Sequence, residues 1–449
     1  MKSHIFREYD IRGIFPDELN SDTVHSLGLA IGTYYRDKGA KRVAVGRDCR
    51  LSSPELSKGL ISGLTEAGVS VIDIGMAPTP LLYFSIHNLD VDGGIQVTGS
   101  HNPPEFNGLK ICLGKGSVYG EEIQKIRKIN ESSVFSSGDG QVETADIKPL
   151  YIEYLGRNIS AGPMKSRVVL DAGNGVGGLV ACDIYKNMGF EVVPLFCEPD
   201  GSFPNHHPDP TIPENLKTLI SSVRDEGAEL GIAFDGDADR IGVVDKQGKI
   251  IWGDQLMIIF SRDLLSRHPG AAIIGEVKCS QVLYDDIEAH GGRAIMWKAG
   301  HSLIKSKMKE EHALLAGEMS GHLFFGERYF GFDDAIYAGA RLLEIVSNTG
   351  KTPGELLSDM PEMVNTPEIR MDCPEERKFE IVSRLVNEFK KDYRVIDVDG
   401  ARVILDGGWG LVRASNTQPV LVLRFEATDQ TRLDQIRKIF MKKLEWIRG

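Results

Sequence analysis

Short apolar runs, each followed by a helix-start signal, recur along most of this chain, and that alternation admits few folds. Arg42-Val43-Ala44-Val45-Gly46 reads as a strand that ends at Arg47-Asp48. Ser52-Ser53-Pro54-Glu55 then offers an N-cap hydroxyl, a first-turn proline and a Glu three residues after Ser52. Val69-Ser70-Val71-Ile72-Asp73-Ile74 is the next strand, and Gly94-Ile95-Gln96-Val97 leads into a loop at Thr98 to Pro104. Alternation of this kind predicts βαβ units and a largely parallel sheet. A polar stretch from Ser132 to Asp139 reads as a surface loop. Fresh βαβ patterns begin at Ser166-Arg167-Val168-Val169-Leu170-Asp171 and near Ala271-Ala272-Ile273-Ile274-Gly275. Three such units suggest a repeated architecture, although no sequence repeat links them. The end differs. A helix from Glu376 to Lys391 precedes three closely spaced strands, Arg402 to Leu405, Gly410 to Arg413 and Val420 to Phe425, and a last helix from Asp429 to Trp446. That pattern predicts a small α+β domain.

The length of 449 residues fits two to four domains at about 100–200 residues each. A formal charge of −12 argues against a broad nucleic-acid-binding surface while leaving room for a local anion site. Six dispersed cysteines, none in a CxxC pair, read as reduced thiols of a cytosolic protein. The start lacks a signal-peptide h-region, and no uncharged apolar run reaches the roughly 18 residues of a membrane span.

Four stretches could carry chemistry. Thr98-Gly99-Ser100-His101-Asn102-Pro103-Pro104 places Ser100 at the C-terminal end of a strand, where open α/β sheets bind ligands. A serine beside His101 could be a nucleophile; Gly, Ser, Asn and Pro equally suit an ordinary turn. Asp235-Gly236-Asp237-Ala238-Asp239-Arg240 lies between two apolar runs. Carboxylates at i, i+2 and i+4 of an extended chain project to one side, and their repulsion is relieved by a hard cation, Mg²⁺ by preference. The loop is not an EF-hand, because Arg240 and Lys246 stand where that motif needs Gly and Glu. Glu318, Ser320 and His322 alternate and can share one face, which suits sugar hydroxyls or a polar strand edge. Arg413-Ala414-Ser415-Asn416-Thr417 ends a strand and offers either a phosphate grip or an edge turn. Two features are weaker. Gly173-x-Gly175-x-x-Gly178 superficially matches a dinucleotide fingerprint, with Glu191 and Glu198 as ribose partners, but a tight turn explains it as well. Taken singly, Lys110, Lys278 and His301 read as solvated side chains.

In this order and spacing, the four stretches together resemble the α-D-phosphohexomutase superfamily, in its bacterial phosphomannomutase/phosphoglucomutase branch. The similarity runs from Phe6-Arg7-Glu8-Tyr9-Asp10-Ile11-Arg12-Gly13 to Thr417. The resemblance implies an α/β protein of four domains around a central cleft, three with a similar mixed α/β core and a C-terminal α+β domain. Their expected ranges are 1–146, 147–250, 251–362 and 363–449. It further implies that Ser100 is phosphorylated and that Asp235, Asp237 and Asp239 bind one Mg²⁺ together with Ser100. Glu318, Ser320 and His322 would read sugar hydroxyls, and Arg413, Ser415, Asn416 and Thr417 would bind the phosphate not being transferred. Tyr9, Arg12, Lys110, Arg240, Lys278 and His301 fall at supporting cleft positions. One departure is Ala299, where the family more often has Thr.

The implied reaction interconverts hexose 1-phosphates and 6-phosphates through a 1,6-bisphosphate, with glucose 1,6-bisphosphate as activator. Arg12, Lys110 and His301 stay open as general acid or base, and mannose and glucose both stay open as substrates. Asn416-Thr417 looks more like the mannose/glucose branch than the glucosamine branch. A phosphoglucosamine mutase, a phosphosugar hydrolase, an NAD-dependent oxidoreductase and an inactive sugar-phosphate sensor are the competing readings. No nucleic-acid or membrane partner is expected, and the oligomeric state is left between monomer and dimer.

Overall fold

The strand Arg42–Arg47 pairs in parallel with Ser70–Met76 on one side and Gly93–Val97 on the other, as two successive βαβ units require. Helices Ser53–Glu66 and Thr79–Asn88 make the crossovers. The sheet is not parallel throughout: beyond Gly93–Val97 the chain turns back as Phe106–Leu113, antiparallel, and Ile11–Ile14 joins antiparallel at the edge. The computed structural model describes residues 2–416 and 418–448. Among these, four sheets of seven, five, four and six strands follow one another along the chain.

The second and third sheets repeat the first sheet's plan on a smaller scale. Leu230–Phe234, Arg167–Asp171 and Glu191–Leu195 are parallel neighbours, and Ile241–Asp245 returns antiparallel. Arg293–Trp297, Ala272–Glu276 and Leu315–Gly317 are parallel neighbours, and Leu323–Phe325 returns antiparallel. The fourth sheet is wholly antiparallel, with helices Lys378–Phe389 and Gln430–Arg448 packed on it. The strands and helices read from the sequence appear in that order, and the structure adds strands the reading lacked, among them Ile11–Ile14, Phe106–Leu113 and Ile369–Asp372.

This plan gives the four chemistry-bearing stretches a common setting. Each is the loop of an antiparallel hairpin. Ser100 lies between Gly93–Val97 and Phe106–Leu113, and the aspartates lie between Leu230–Phe234 and Ile241–Asp245. Glu318 to His322 joins Leu315–Gly317 to Leu323–Phe325, and Ser415 follows Gly408–Ala414 before Val420–Ala427. Hairpin strands lock each loop to its sheet through ladder hydrogen bonds on both sides.

Cores are shared unequally. One continuous apolar cluster runs through the first three units, with helix Ala335–Thr349 buried along nearly its whole length between the second and third. The fourth unit has a separate core around Phe389, Phe425 and Phe440. Arg402, fully buried, joins it to the third unit by donating to the Val277 carbonyl at 2.6 Å and the Cys279 carbonyl at 2.7 Å, with its guanidinium on the Trp409 ring. No helix among the described residues is long and apolar enough to cross a membrane.

Candidate active site

Ser100 is 3% exposed and has φ +49°, a left-handed conformation that non-glycine residues adopt only when the surroundings enforce it. Arg50 supplies the enforcement. Its fully buried guanidinium donates to the carbonyls of Ser100 (2.8 Å), Asn102 (2.6 Å) and Phe106 (2.9 Å). Asp48 orients Arg50 and also accepts from the Gly99 amide at 3.0 Å. A side chain on Gly99 would collide with that guanidinium, so the loop can close over Arg50 only with glycine there. Neither Asp48 nor Arg50 was singled out from the sequence. The available signal was a pair of charges directly after the strand Arg42–Arg47.

So held, the Ser100 hydroxyl donates to Asp235 Oδ2 at 2.8 Å and lies 3.1 Å from His101 Nδ1. Burial, with Arg240 and Arg12 nearby, pushes His101 well below its ordinary value and keeps the ring neutral. The aspartate loop is equally constrained. Asp235 Oδ1 accepts from the amides of Asp239 (3.0 Å) and Arg240 (3.1 Å), and Ala238 takes φ +59°. A side chain on Gly236 would strike the Ser100 carbonyl, so this glycine lets the two hairpin loops meet backbone to backbone.

Asp235, Asp237 and Asp239 are fully buried, with one oxygen of each within 4.8 Å of the others. Lys110 sits on the returning strand opposite Gln96 and reaches into this cluster. Its ammonium lies 2.7 Å from Asp237 Oδ2 and also bonds Asp239 Oδ2. The sequence reading of Lys110 as a solvated side chain is therefore corrected, because its partners lie in another sheet. Burial alone would discharge Lys110, but the three carboxylates outweigh it and hold the ammonium charged. Burial likewise opposes ionisation of Asp237, and Lys110 wins and holds it well below the usual carboxylate range. Asp235 goes the other way, raised by burial and by its two acidic neighbours. Thr79 Oγ1, a further residue without sequence signal, donates to Asp237 Oδ2 at 2.6 Å.

Two oxygens in this cluster, Asp237 Oδ1 and Asp239 Oδ1, are buried with no donor among the described residues. A buried, unpaired carboxylate oxygen is costly. An all-oxygen set of this kind fits a hard divalent cation, and Asp235, Asp237, Asp239 and the Ser100 oxygen are the residues present to hold one.

Around this centre the structure collects most of the remaining candidates. Arg240 Nε donates to His322 Nε2 at 3.0 Å. Ser320 Oγ donates to Glu318 Oε2 at 3.0 Å, and Glu318 Oε1 accepts from the Gly300 amide at 2.9 Å, beside His301. Tyr9 donates to the Ala299 carbonyl at 3.1 Å and accepts from Asn416 Nδ2 at 2.8 Å, so the first, third and fourth units meet at one phenol. Arg413 Nε donates to Asp399 Oδ2 at 2.9 Å, and the same oxygen accepts from the Ala299 amide at 3.1 Å. Ser415 Oγ accepts from the Gln418 amide. Lys278 is not a solvated side chain either: it lies between Glu276 at 3.8 Å and Glu368 at 3.3 Å. Arg12 is paired with Asp10 at 2.5 Å. Thr417 lies outside the described residues. The glycines 173–178 are occupied otherwise than the dinucleotide reading required. Gly175 packs on the Gly236 backbone, and the Val176 amide donates to the Gly236 carbonyl at 3.1 Å. That turn buttresses the aspartate loop.

Comparison with known proteins agrees with this geometry. Models of the α/β/α domains I, II and III of phosphoglucomutase/phosphomannomutase match residues 3–136, 149–248 and 252–364, and the C-terminal domain model matches 368–443. The chain is 50% identical to a Pseudomonas aeruginosa phosphomannomutase/phosphoglucomutase over 99% of its length and 96% of that protein's. It is 47% identical to a Neisseria gonorrhoeae phosphoglucomutase, covering 98% and 96%. A Burkholderia thailandensis phosphoglucomutase/phosphomannomutase family structure superposes with TM-score 0.94 at 43% identity, covering 100% of this chain and 98% of that one. With four domain models matched in order and half of all residues identical to a curated relative, the chain belongs to the phosphoglucomutase/phosphomannomutase family of hexose phosphate mutases.

Proposed function

We propose that this mutase exchanges phosphate between O1 and O6 of mannose and glucose, with Ser100 as the residue that carries the phosphoryl group. The observation that carries the reading is the contact of Ser100 Oγ with Asp235, beside two buried carboxylate oxygens that lack a donor among the described residues. Asp235, Asp237, Asp239 and the Ser100 phosphate would hold Mg²⁺, which would neutralise charge on the phosphoryl oxygens. Lys110 and Arg240 add fixed positive charge at the same place, so the transferring group meets preorganised donors rather than water.

In the forward half-reaction a free sugar hydroxyl attacks phosphorus, the bond to Ser100 Oγ breaks, and a 1,6-bisphosphohexose forms. The hydroxyl proton passes to a neutral imidazole in the cleft. His301 suits that role, since burial and Lys305 push it well below its ordinary value. The bisphosphate then turns over and returns its other phosphate to Ser100. Glu318, Ser320 and His322 would orient the ring hydroxyls. Arg413, Ser415, Asn416 and Thr417, with Lys278, would grip the phosphate that stays. Added glucose 1,6-bisphosphate would re-phosphorylate Ser100 that has lost its phosphate. All four loops come from one chain, so a monomer suffices for the site.

The test is a coupled assay with mannose 1-phosphate and glucose 1-phosphate, Mg²⁺ and trace glucose 1,6-bisphosphate. Both 6-phosphates are expected, and chelating the metal is expected to stop their formation. Release of inorganic phosphate without either 6-phosphate would replace this reading with a phosphosugar hydrolase.

A further inference from the structure

Asp333 lies outside all four loops, yet it is fully buried against two of the cleft histidines. Its Oδ2 is 3.1 Å from His322 Nδ1 and 3.7 Å from His301 Nδ1, and its Oδ1 is 3.1 Å from Lys305 Nζ. The two imidazoles stack with centroids 5.6 Å apart at 20°, so they present the same edges to the same carboxylate. We propose that Asp333 is the positioning residue for both histidines, holding each as the Nδ1–H tautomer, which leaves the Nε2 lone pair of His322 to Arg240 and that of His301 to the cleft. The proposal rests on the phosphohexomutase reading above.

The tautomer of His322 follows from its other side. Arg240 Nε can only donate, so His322 Nε2 accepts from it at 3.0 Å, and the proton of a neutral ring is then on Nδ1. Asp333 Oδ2 is the nearer carboxylate oxygen to that nitrogen, at 3.1 Å, with Asp239 Oδ1 farther off at 3.6 Å. The same placement argues against a second cation held by Asp239, His322 and Asp333, because a protonated Nδ1 has no lone pair to give. His301 Nδ1 is buried without a hydrogen-bond partner among the described residues, and Asp333 Oδ2, 3.7 Å away, is the carboxylate that a small ring shift would bring it to.

The carboxylate is itself fixed. Asp333 forms a β-bridge with Phe324, two residues from His322, and its neighbour Asp334 caps helix Ala335–Thr349 by accepting from the Tyr337 amide at 2.8 Å. Lys305, whose ammonium sits 4.2 Å over the Tyr83 ring, opposes the penalty of burying the charge. Burial would favour the neutral acid, but the Lys305 ammonium keeps Asp333 ionised. A buried carboxylate behind an imidazole selects tautomer and orientation in other enzymes by the same physics.

The experiment uses the full-length enzyme labelled with ¹⁵N-histidine. In the wild type, two-bond ¹⁵N–¹H correlation should show His301 and His322, assigned by single His→Gln variants, as Nδ1–H tautomers; Nε2–H on both would overturn the proposal without any Asp333 variant. Asp333→Asn should shift both rings toward Nε2–H and lower kcat about 10²-fold, with KM within about threefold. Asp333→Glu should restore part of kcat and the original tautomers, which mere loss of packing would not allow. Asp333→Asn with wild-type kcat, or with unchanged tautomers, contradicts the proposal. Phosphorylation of Ser100 by glucose 1,6-bisphosphate, read by intact mass, should survive in Asp333→Asn. Failure of the phosphoserine reading would thus show separately, in the wild type.

Discussion

The proposed transfer centre at Ser100 and the proposed phosphate grip at Arg413 are built in opposite ways. Around Ser100 the polar groups are buried and, apart from the two carboxylate oxygens left for a cation, held by fixed partners. Arg50 clamps the loop, two residues hold left-handed backbone, and Lys110 is sunk among three carboxylates. The grip at Arg413 belongs to a unit with its own core. The buried Arg402 fastens that unit on one side, and cleft bonds such as Asn416 to Tyr9 and the Ala299 amide to Asp399 fasten it on the other. The difference follows from what each region must do. Charge that develops in a transition state is best met by donors that do not move. A phosphate that must be released while the sugar turns over is best met by bonds that exchange partners. Asp399 keeps Arg413 charged and satisfied, since burial of Arg413 would otherwise favour its neutral form.

The largest expected effect breaks the rigid side. Asp237→Asn removes the negative charge that faces Lys110 and replaces one carboxylate oxygen with an amide nitrogen that cannot hold a cation. Steady-state kinetics at saturating Mg²⁺ should show kcat reduced about 10³-fold, the worth of several kcal/mol of charge stabilisation. Thermal unfolding of the same variant in chelator should occur at a lower temperature, because Lys110 holds Asp237 ionised in the fold and that stabilisation is lost. Full activity would reverse the assignment.

A smaller effect tests the adaptable side. Arg413→Ala should raise KM for glucose 1-phosphate about 10²-fold and leave kcat within about fivefold, because the grip holds ground state and transition state alike. An equal fall in kcat at unchanged KM would place Arg413 in the transfer step.

The smallest effect tests the seam between the first and third units, which neither region controls. His87 lies 4.4 Å from the Phe330 ring, and burial, with Lys115 and Lys309 nearby, pushes it down to about 4. A depressed folded-state value means the unfolded chain binds the proton first. Stability is then full above about pH 6.5 and is lost as pH falls toward 4. Denaturant unfolding at pH 7 and pH 4 should reveal a difference of about 1–2 kcal/mol, reduced by screening at this half-buried ring, that His87→Phe removes. An unchanged acid dependence in that variant would assign the loss to other groups.

What was legible in the sequence is what is local in sequence. Asp235, Asp237 and Asp239 are neighbours in one loop, so their repulsion and need for a cation can be read from spacing alone. Ser100 and Arg413 each stand at the end of an apolar run and could be placed at strand ends for the same reason. The residues that make the loops work were hidden because their partners are distant. Thr79 meets Asp237 across 158 positions, Lys110 meets it across 127, and Arg50 meets Ser100 across 50. Ser52 shows the same limit: it stands at the head of helix Ser53–Glu66 as expected, but its hydroxyl accepts from Asn107 and caps no amide. The antiparallel return of each hairpin was also invisible, since alternating strands and helices carry no sign of strand direction.

The central claim is that Ser100 carries the phosphoryl group between the two ends of the sugar. Its most direct test is rapid-quench intact mass spectrometry of enzyme first loaded with glucose 1,6-bisphosphate, freed of excess, and mixed with glucose 6-phosphate. The account predicts one phosphoryl group on the Ser100 peptide before mixing, lost at a rate at least equal to kcat as bisphosphate appears. A phosphoryl group on another residue, or one on Ser100 that leaves more slowly than turnover, would contradict it.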